Sequence, residues 1–407
     1  MYYQTHTLPN GLRMIHLPMA GTVSYCGFTI NAGTRDELSR EFGMAHFVEH
    51  MLFKGTLRRK AWHILNRMES VGGELNAFTT KEETVVYSIF LNTHFERAME
   101  LLGDLAFNSQ FPEMEMEKER EVILDEINSY KDNPAELIYD EFENLLFDGH
   151  EIGHLTLGTT ETLQRFTPDD GRSFMNRLYT PSNMVFFSTG SVDFSKIIRW
   201  GEKYLGDIII SDSAISTRKS PNNYRPIRKI ENMDTFQAHV IIGNRAYNLY
   251  DKKKYALVLL NNILGGPCMN SKLNLALRER HGYVYTVEST FTPYSDTGVF
   301  YIYFGTGPKK VDKCVSLIHK VLTDIRNNAL SAVQLSAAKK QLIGQICVDT
   351  DNHENVALGL GKSFLRFDKY DSIQEVCQRV EEITVSDVLT AANEILDDSS
   401  LSSLIFN

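Results

Sequence analysis

The order of elements starts twice along this chain of 407 residues, and that repetition restricts the fold more than any single motif does. Leu8-Pro9-Asn10-Gly11 is a turn between two short strand-like runs. Val23 to Ala32 is dense in β-formers and reads as a strand. Gly43 opens an apolar helical pattern to about Phe53, and Ala61 to Val71 is a second helix, stopped by Gly72-Gly73. Leu75 to Phe78 and Thr84 to Leu91 read as strands, and Phe95 to Phe107 as a helix. Pro112 opens a long charged helix to about Asn128 or beyond. Asn183 to Ser191 is a further strand, followed by a helix near Phe194 to Tyr204. The polar stretch Ser211 to Pro226 then breaks every period and is the linker candidate. After it come a strand (Gln237 to Gly243), a helix (Tyr255 to Leu264), the break Gly265-Gly266-Pro267, strands (Val284 to Phe291, Gly298 to Gly305) and helices (Lys309 to Ile325, Ala332 to about Ile346). Each half thus runs strand, helix, helix, paired strands, helices, a coarse repeat that is weak at residue level. The expectation is an α+β chain of two related domains, 1–210 and 227–407, joined by a linker at 211–226. Each is a mainly antiparallel sheet with helices packed on it. The length agrees, because a chain beyond about 250–300 residues rarely builds one core.

Composition narrows the function classes. Apolar residues make up 43% and charged residues 23%, as in ordinary globular proteins. The formal net charge is −10, which argues against nucleic acid or an anionic membrane as partner, since both select clustered Lys and Arg. Cys26, Cys268, Cys314, Cys347 and Cys377 are odd in number and include no C-x-x-C, so they read as thiols of a reducing compartment. The N-terminus M-Y-Y-Q-T-H-T-L-P-N-G lacks a basic region and an apolar core of the signal type, and no apolar run has membrane-spanning length. A cytoplasmic location is expected, or a periplasmic one if a signal sequence was removed.

Two pentapeptides could hold a metal. In His46-Phe47-Val48-Glu49-His50, residues four apart share a helix face. Both imidazoles can therefore reach one ion, with Glu49 beside a water on it, and the apolar flanks Gly43-Met44-Ala45 and Met51-Leu52-Phe53 would hold the rings rigidly. H-x-x-E-H is the inverted form of the zinc-peptidase motif. His150-Glu151-Ile152-Gly153-His154 matches the commoner H-E-x-x-H, but Asp148-Gly149 precedes it and Gly153 weakens a helix within it. Its context favours a turn. A catalytic zinc needs a third protein ligand and an open position. Glu119 and Glu126, seven apart on the long charged helix, share a face; one could ligate and the other could orient a histidine. Most acidic stretches of this kind are solvated helix faces, and spacing alone does not choose.

These segments resemble the pitrilysin/insulinase metallopeptidases, in the branch of the mitochondrial processing peptidase. The resemblance lies in G-M-A-H-F-V-E-H-M-L-F-K-G-T (Gly43 to Thr56), G-G-E-L-N-A-F-T-T-K-E-E-T (Gly72 to Thr84) and E-R-E-V-I-L-D-E (Glu119 to Glu126). It implies a third zinc ligand about 76 residues beyond the second His, which from position 50 selects Glu126, with Glu119 as its supporting acid. In the second half, Gly265-Gly266, Ser271-Lys272-Leu273 and L-R-E-R-H-G-Y-V-Y resemble the family's Arg/Tyr element and indicate Arg278 and Tyr285. Pro267-Cys268-Met269 departs from the smaller, Gly/Ser-rich loop of many relatives.

The resemblance further implies a Zn2+-dependent endopeptidase with Glu49 as general base, oxyanion support from Tyr285, and Arg278 on the substrate main chain. Asn76, Ala77 and Phe78 would lie on an edge strand to which an unfolded peptide adds. Relatives close a chamber from two shells, and this chain would be one half of that clamshell. A homodimer, or a heterodimer with a related chain, would complete it. The alternative is a non-catalytic or peptide-binding partner subunit of a heteromeric processing peptidase, although such members usually lose the zinc set retained here. The remaining histidines, His239 on a strand among them, are read as structural or surface residues.

Overall fold

The structure is a computed structural model and describes residues 2–208, 217–222, 224–233 and 235–407. Part of the expected linker, residues 211–216 and 223, lies outside them. The chain forms two compact units. The first comprises Met1–Asn128, His154–Arg218 and Thr350–Ser372; the second comprises Ser129–Gly153, Lys219–Asp349 and Ile373–Asn407.

In the first unit, β1 (Gln4–Thr7), β2 (Arg13–Pro18), β3 (Val23–Ile30), β4 (Glu74–Thr79), β5 (Thr84–Leu91) and β6 (Met184–Gly190) form one sheet in the order β1-β2-β6-β3-β5-β4. Every pairing is antiparallel except that of β2 with β6. The turn at Leu8–Gly11 closes the first hairpin, with Gly11 at φ 86°, a conformation that favours glycine. Because successive side chains in a strand point to opposite faces, the sheet has two apolar surfaces. Met14, Cys26, Phe28, Ile30, Val86, Met184 and Phe186 join the main core, together with Phe47, Val48 and Met51 of the helix Met44–Met51. Ile15, Leu17, Val85, Tyr87, Val185 and Phe187 face the other way, where Ala357, Leu360 and Phe364 of the helix His353–Phe367 cover them.

The second unit repeats the plan. β7 (Arg228–Glu231), β8 (Ala238–Ala246), β9 (Val284–Pro293), β10 (Gly298–Thr306) and β11 (Ser402–Phe406) pair in the order β7-β11-β8-β10-β9, with only β7 and β11 parallel. One face packs on the helices Lys254–Gly265, Val311–Asn327 and Val385–Ile395. The other packs on Leu137, Ile138, Phe142 and Leu146 of the helix Pro134–Leu146. The expected α+β class with two mainly antiparallel sheets holds. All strands of the first sheet precede the expected linker and all strands of the second follow it. The covering helices do not respect that line, since each sheet is completed by a helix from the other half of the sequence.

Candidate metal centre

The helix Met44–Met51 buries Phe47, Val48 and Met51 completely. Burial of each such side chain contributes roughly 1.5–3 kcal/mol, so the rotational phase of this short helix is fixed by packing. That phase turns His46 and His50 to one side, with ring centroids 4.6 Å apart at 63°. The long helix Glu113–Lys131 anchors itself through Met116, Ile123 and Ile127 and brings Glu126 to the same place. Its Oε2 stands 3.8 Å from Nε2 of both His46 and His50. The ligand atoms of these three residues all lie within 4.8 Å of one another, the one such group among the described residues.

Those separations are too long for hydrogen bonds. They approach the roughly 3.3 Å that separates two ligands each about 2.0–2.1 Å from a tetrahedral zinc. His50 Nδ1 is 2.9 Å from Glu119 Oε2, and Glu119 is fixed in turn by Lys54 Nζ at 2.6 Å. A carboxylate at Nδ1 makes that nitrogen the donor and leaves Nε2 as a lone pair facing His46 and Glu126. His46 has no such support; its Nδ1 is buried without a hydrogen-bond partner among the described residues. Burial first, then the neighbouring His50, push its pKa down to about 3, which keeps the ring in the neutral form that binds metal. The donor set of two imidazoles and one carboxylate thus fits Zn2+. Glu126 is exposed while His46 is buried, so the group opens to solvent on the carboxylate side, as a site with a free position requires.

Glu49 is half-buried on the same helix. Burial raises its carboxyl pKa; Thr79 and His50 oppose that rise, and Glu126 adds to it. Thr79 closes β4, so the strand carrying Asn76, Ala77 and Phe78 runs beside the motif helix. β4 is the outermost strand beyond β5, as the edge-strand expectation requires. Thr79 itself, whose side chain holds the Glu49 pKa down against the rise from burial, was not among the expected site residues; its position directly after L-N-A-F was the available signal.

In the second unit, Arg278 lies in a short π-helical turn, Asn274–Glu279, and Tyr285 on β9. The guanidinium carbon sits 5.6 Å from the centre of the Tyr285 ring, and Tyr285 is 81% exposed. Both border a cavity of about 560 Å3, along with Gly265, Gly266, Cys268 and Met269. His150-Glu151-Ile152-Gly153-His154 forms turns and no helix. Its His154 points Nε2 to Glu37 Oε2 at 2.9 Å.

Residues 17–160, which include His46, Glu49, His50 and Glu126, match the family model described as Insulinase (Peptidase family M16). Residues 165–342, which include Arg278 and Tyr285, match the one described as Peptidase M16 inactive domain. The chain belongs to the M16 (insulinase) peptidase family. An uncharacterised zinc protease of Mycobacterium leprae is 33% identical over 96% of this chain and 88% of its own length. One of Bacillus subtilis is 30% identical over 98% of this chain and 97% of its own. In fold, a protease from Helicobacter pylori superposes with a TM-score of 0.94 at 21% identity, covering 100% of this chain and 99% of that one. A Pseudomonas fluorescens protein described as a peptidase M16 inactive domain gives 0.93 at 20% identity, covering 100% and 98%. These matches define the family and not a branch within it.

Proposed function

We propose that this M16 chain is an active zinc endopeptidase that cuts unfolded peptides. The observation that carries the reading is the convergence of His46, His50 and Glu126 with Glu49 on the adjoining turn of the same helix. In this reading His46, His50 and Glu126 hold one Zn2+ per chain. Zinc, when bound, supplies the Lewis acidity that polarises the scissile carbonyl and lowers the pKa of a water toward about 7.

The remaining work falls to the protein. Glu49 takes the proton of the attacking water and delivers it to the leaving amine; a carboxyl pKa raised by burial suits both transfers. Glu119 keeps His50 in the tautomer that offers Nε2. A substrate segment adds to the free edge of β4 near Asn76, Ala77 and Phe78, held by main-chain hydrogen bonds that demand an extended peptide and little of its side chains. Tyr285 donates to the developing oxyanion and Arg278 grips the substrate main chain, from the same chain or from a second copy. A homodimer would close a chamber around the peptide, because one chain carries both the metal set and the Arg/Tyr pair.

The test is cleavage of an unstructured peptide library by wild type and Glu49→Gln. The proposal expects the wild type to cut and the variant to lose at least 100-fold in kcat/KM while keeping its metal. A zinc-loaded wild type that cuts nothing would refute the peptidase reading, and equal rates would refute the role given to Glu49.

A further inference from the structure

The sequence contains a second His-x-x-x-His that the metal centre does not use, and one of its histidines acts on the helix that the centre does use. Glu37 is fully buried and surrounded by donors. Its Oε2 accepts from the backbone N–H of Gly43 at 2.9 Å and its Oε1 from that of Ala45 at 2.8 Å. These groups belong to the first turn of Met44–Met51, which has no side-chain cap of its own. A helix leaves its first N–H groups without intrahelical partners, and a negative charge there is also favoured by the helix dipole. The third donor is His154, with Nε2 2.9 Å from Glu37 Oε2. Its Nδ1 has no hydrogen-bond partner among the described residues, which leaves the proton on Nε2. The ring stacks on Phe42, with centroids 4.2 Å apart at 13°. Lys81 Nζ donates to the His154 carbonyl at 2.7 Å.

The backbone confirms how close this support is. Gly43 adopts φ 93°, and a Cβ on it would stand 2.7 Å from the Leu157 carbonyl oxygen and 2.8 Å from Gly158 Cα. The segment from His154 to Gly158 is therefore the floor on which the start of the helix rests. Helical residues share one axis and one phase, so a carboxylate fixed at Gly43 and Ala45 also fixes His46, the next residue, and His50 one turn on. Among the described residues His46 has no hydrogen-bond partner at Nδ1 to orient it, so its placement depends chiefly on the helix.

We propose that Glu37 and His154 are positioning residues for the metal centre: His154 orients the Glu37 carboxylate, which locks the N-terminus of the helix carrying His46 and His50. The proposal rests on the reading that His46, His50 and Glu126 hold zinc.

The experiment measures zinc affinity by chelator competition, and the visible spectrum after Co2+ substitution, in wild type, His154→Leu, His154→Gln and Glu37→Gln. Thermal unfolding of each metal-free protein serves as the folding control. His154→Leu removes the donor, and Glu37→Gln sets an amide NH2 against backbone and imidazole donors. Both are expected to weaken zinc binding about 10-fold or more and to shift the cobalt bands while cooperative unfolding persists. His154→Gln keeps a donor and is expected to recover most of the affinity. Wild-type affinity and an unchanged cobalt spectrum in His154→Leu would overturn the proposal. So would equal loss in the Leu and Gln variants together with loss of cooperative unfolding, which would assign His154 to folding in general. A wild type that binds no zinc would instead refute the metal reading itself.

Discussion

Glu119 and Glu126 differ by two helical turns and by exposure, and that difference separates the roles proposed for them. Glu119 is buried against His50 and Lys54, whereas Glu126 is exposed beside both imidazoles. Spacing alone left the pair undivided, because residues seven apart share a face whichever one ligates. A Glu119→Gln variant is expected to retain zinc at about 10- to 100-fold weaker affinity, measured by chelator competition. On β2, His16 is expected to give a pH dependence of stability. It is fully buried between the strand pairs, 2.9 Å from Ser188 Oγ and stacked on Phe194. Burial lowers its pKa from 6.5 to about 4. The unfolded chain therefore binds this proton between pH 6.5 and 4 when the folded chain does not, and stability falls as pH falls through that window. The loss approaches about 3 kcal/mol at the lower end. Urea unfolding of wild type and His16→Asn across pH 4–7 should show this component in the wild type and its absence in the variant.

At the scale of elements, the motif helix, the charged helix and the central hairpins were legible because their periods of 3.6 and 2 are strong and their ends carry Gly or Pro. The helix His353–Phe367 was not read, although Val356, Ala357, Leu360 and Phe364 make a helical stripe. A stripe tells that a face is buried; it does not tell which sheet buries it. The complementary signal was in β6, where Met184, Val185, Phe186 and Phe187 are apolar on both faces and call for cover on both. Close contact makes this pairing sensitive. A Cβ at Gly361 would lie 2.4 Å from Thr29 Oγ1 and 2.5 Å from the Phe187 ring. Gly361→Ala should therefore cost about 1–3 kcal/mol by overpacking, read as a lower urea midpoint with an unchanged slope.

For the whole molecule, the order of elements predicted two related α+β units, and the structure has them. The helix exchange escaped the sequence because nothing local marks a segment that packs on strands about a hundred residues away or more. Its consequence is a dependence of each unit on the far half of the chain. A fragment of residues 219–407 lacks Leu137, Ile138, Phe142, Leu146 and Phe147, which cover Ile241, Val299, Leu404 and Phe406 in the second unit. Such a fragment should bind a hydrophobic dye strongly and unfold without a cooperative transition, whereas one that also carries residues 129–153 should be better folded. The proposed metal centre would draw its ligands, His46, His50 and Glu126, from two helices of the first unit, so metal binding would report directly on that unit's packing. Zinc content of the purified chain, wild type against Glu126→Gln, tests the metal set His46, His50 and Glu126 most directly. One zinc per wild-type chain is expected, with its loss from the variant under the same chelator wash. A wild type without zinc, or a variant that keeps a full equivalent as tightly, would contradict it.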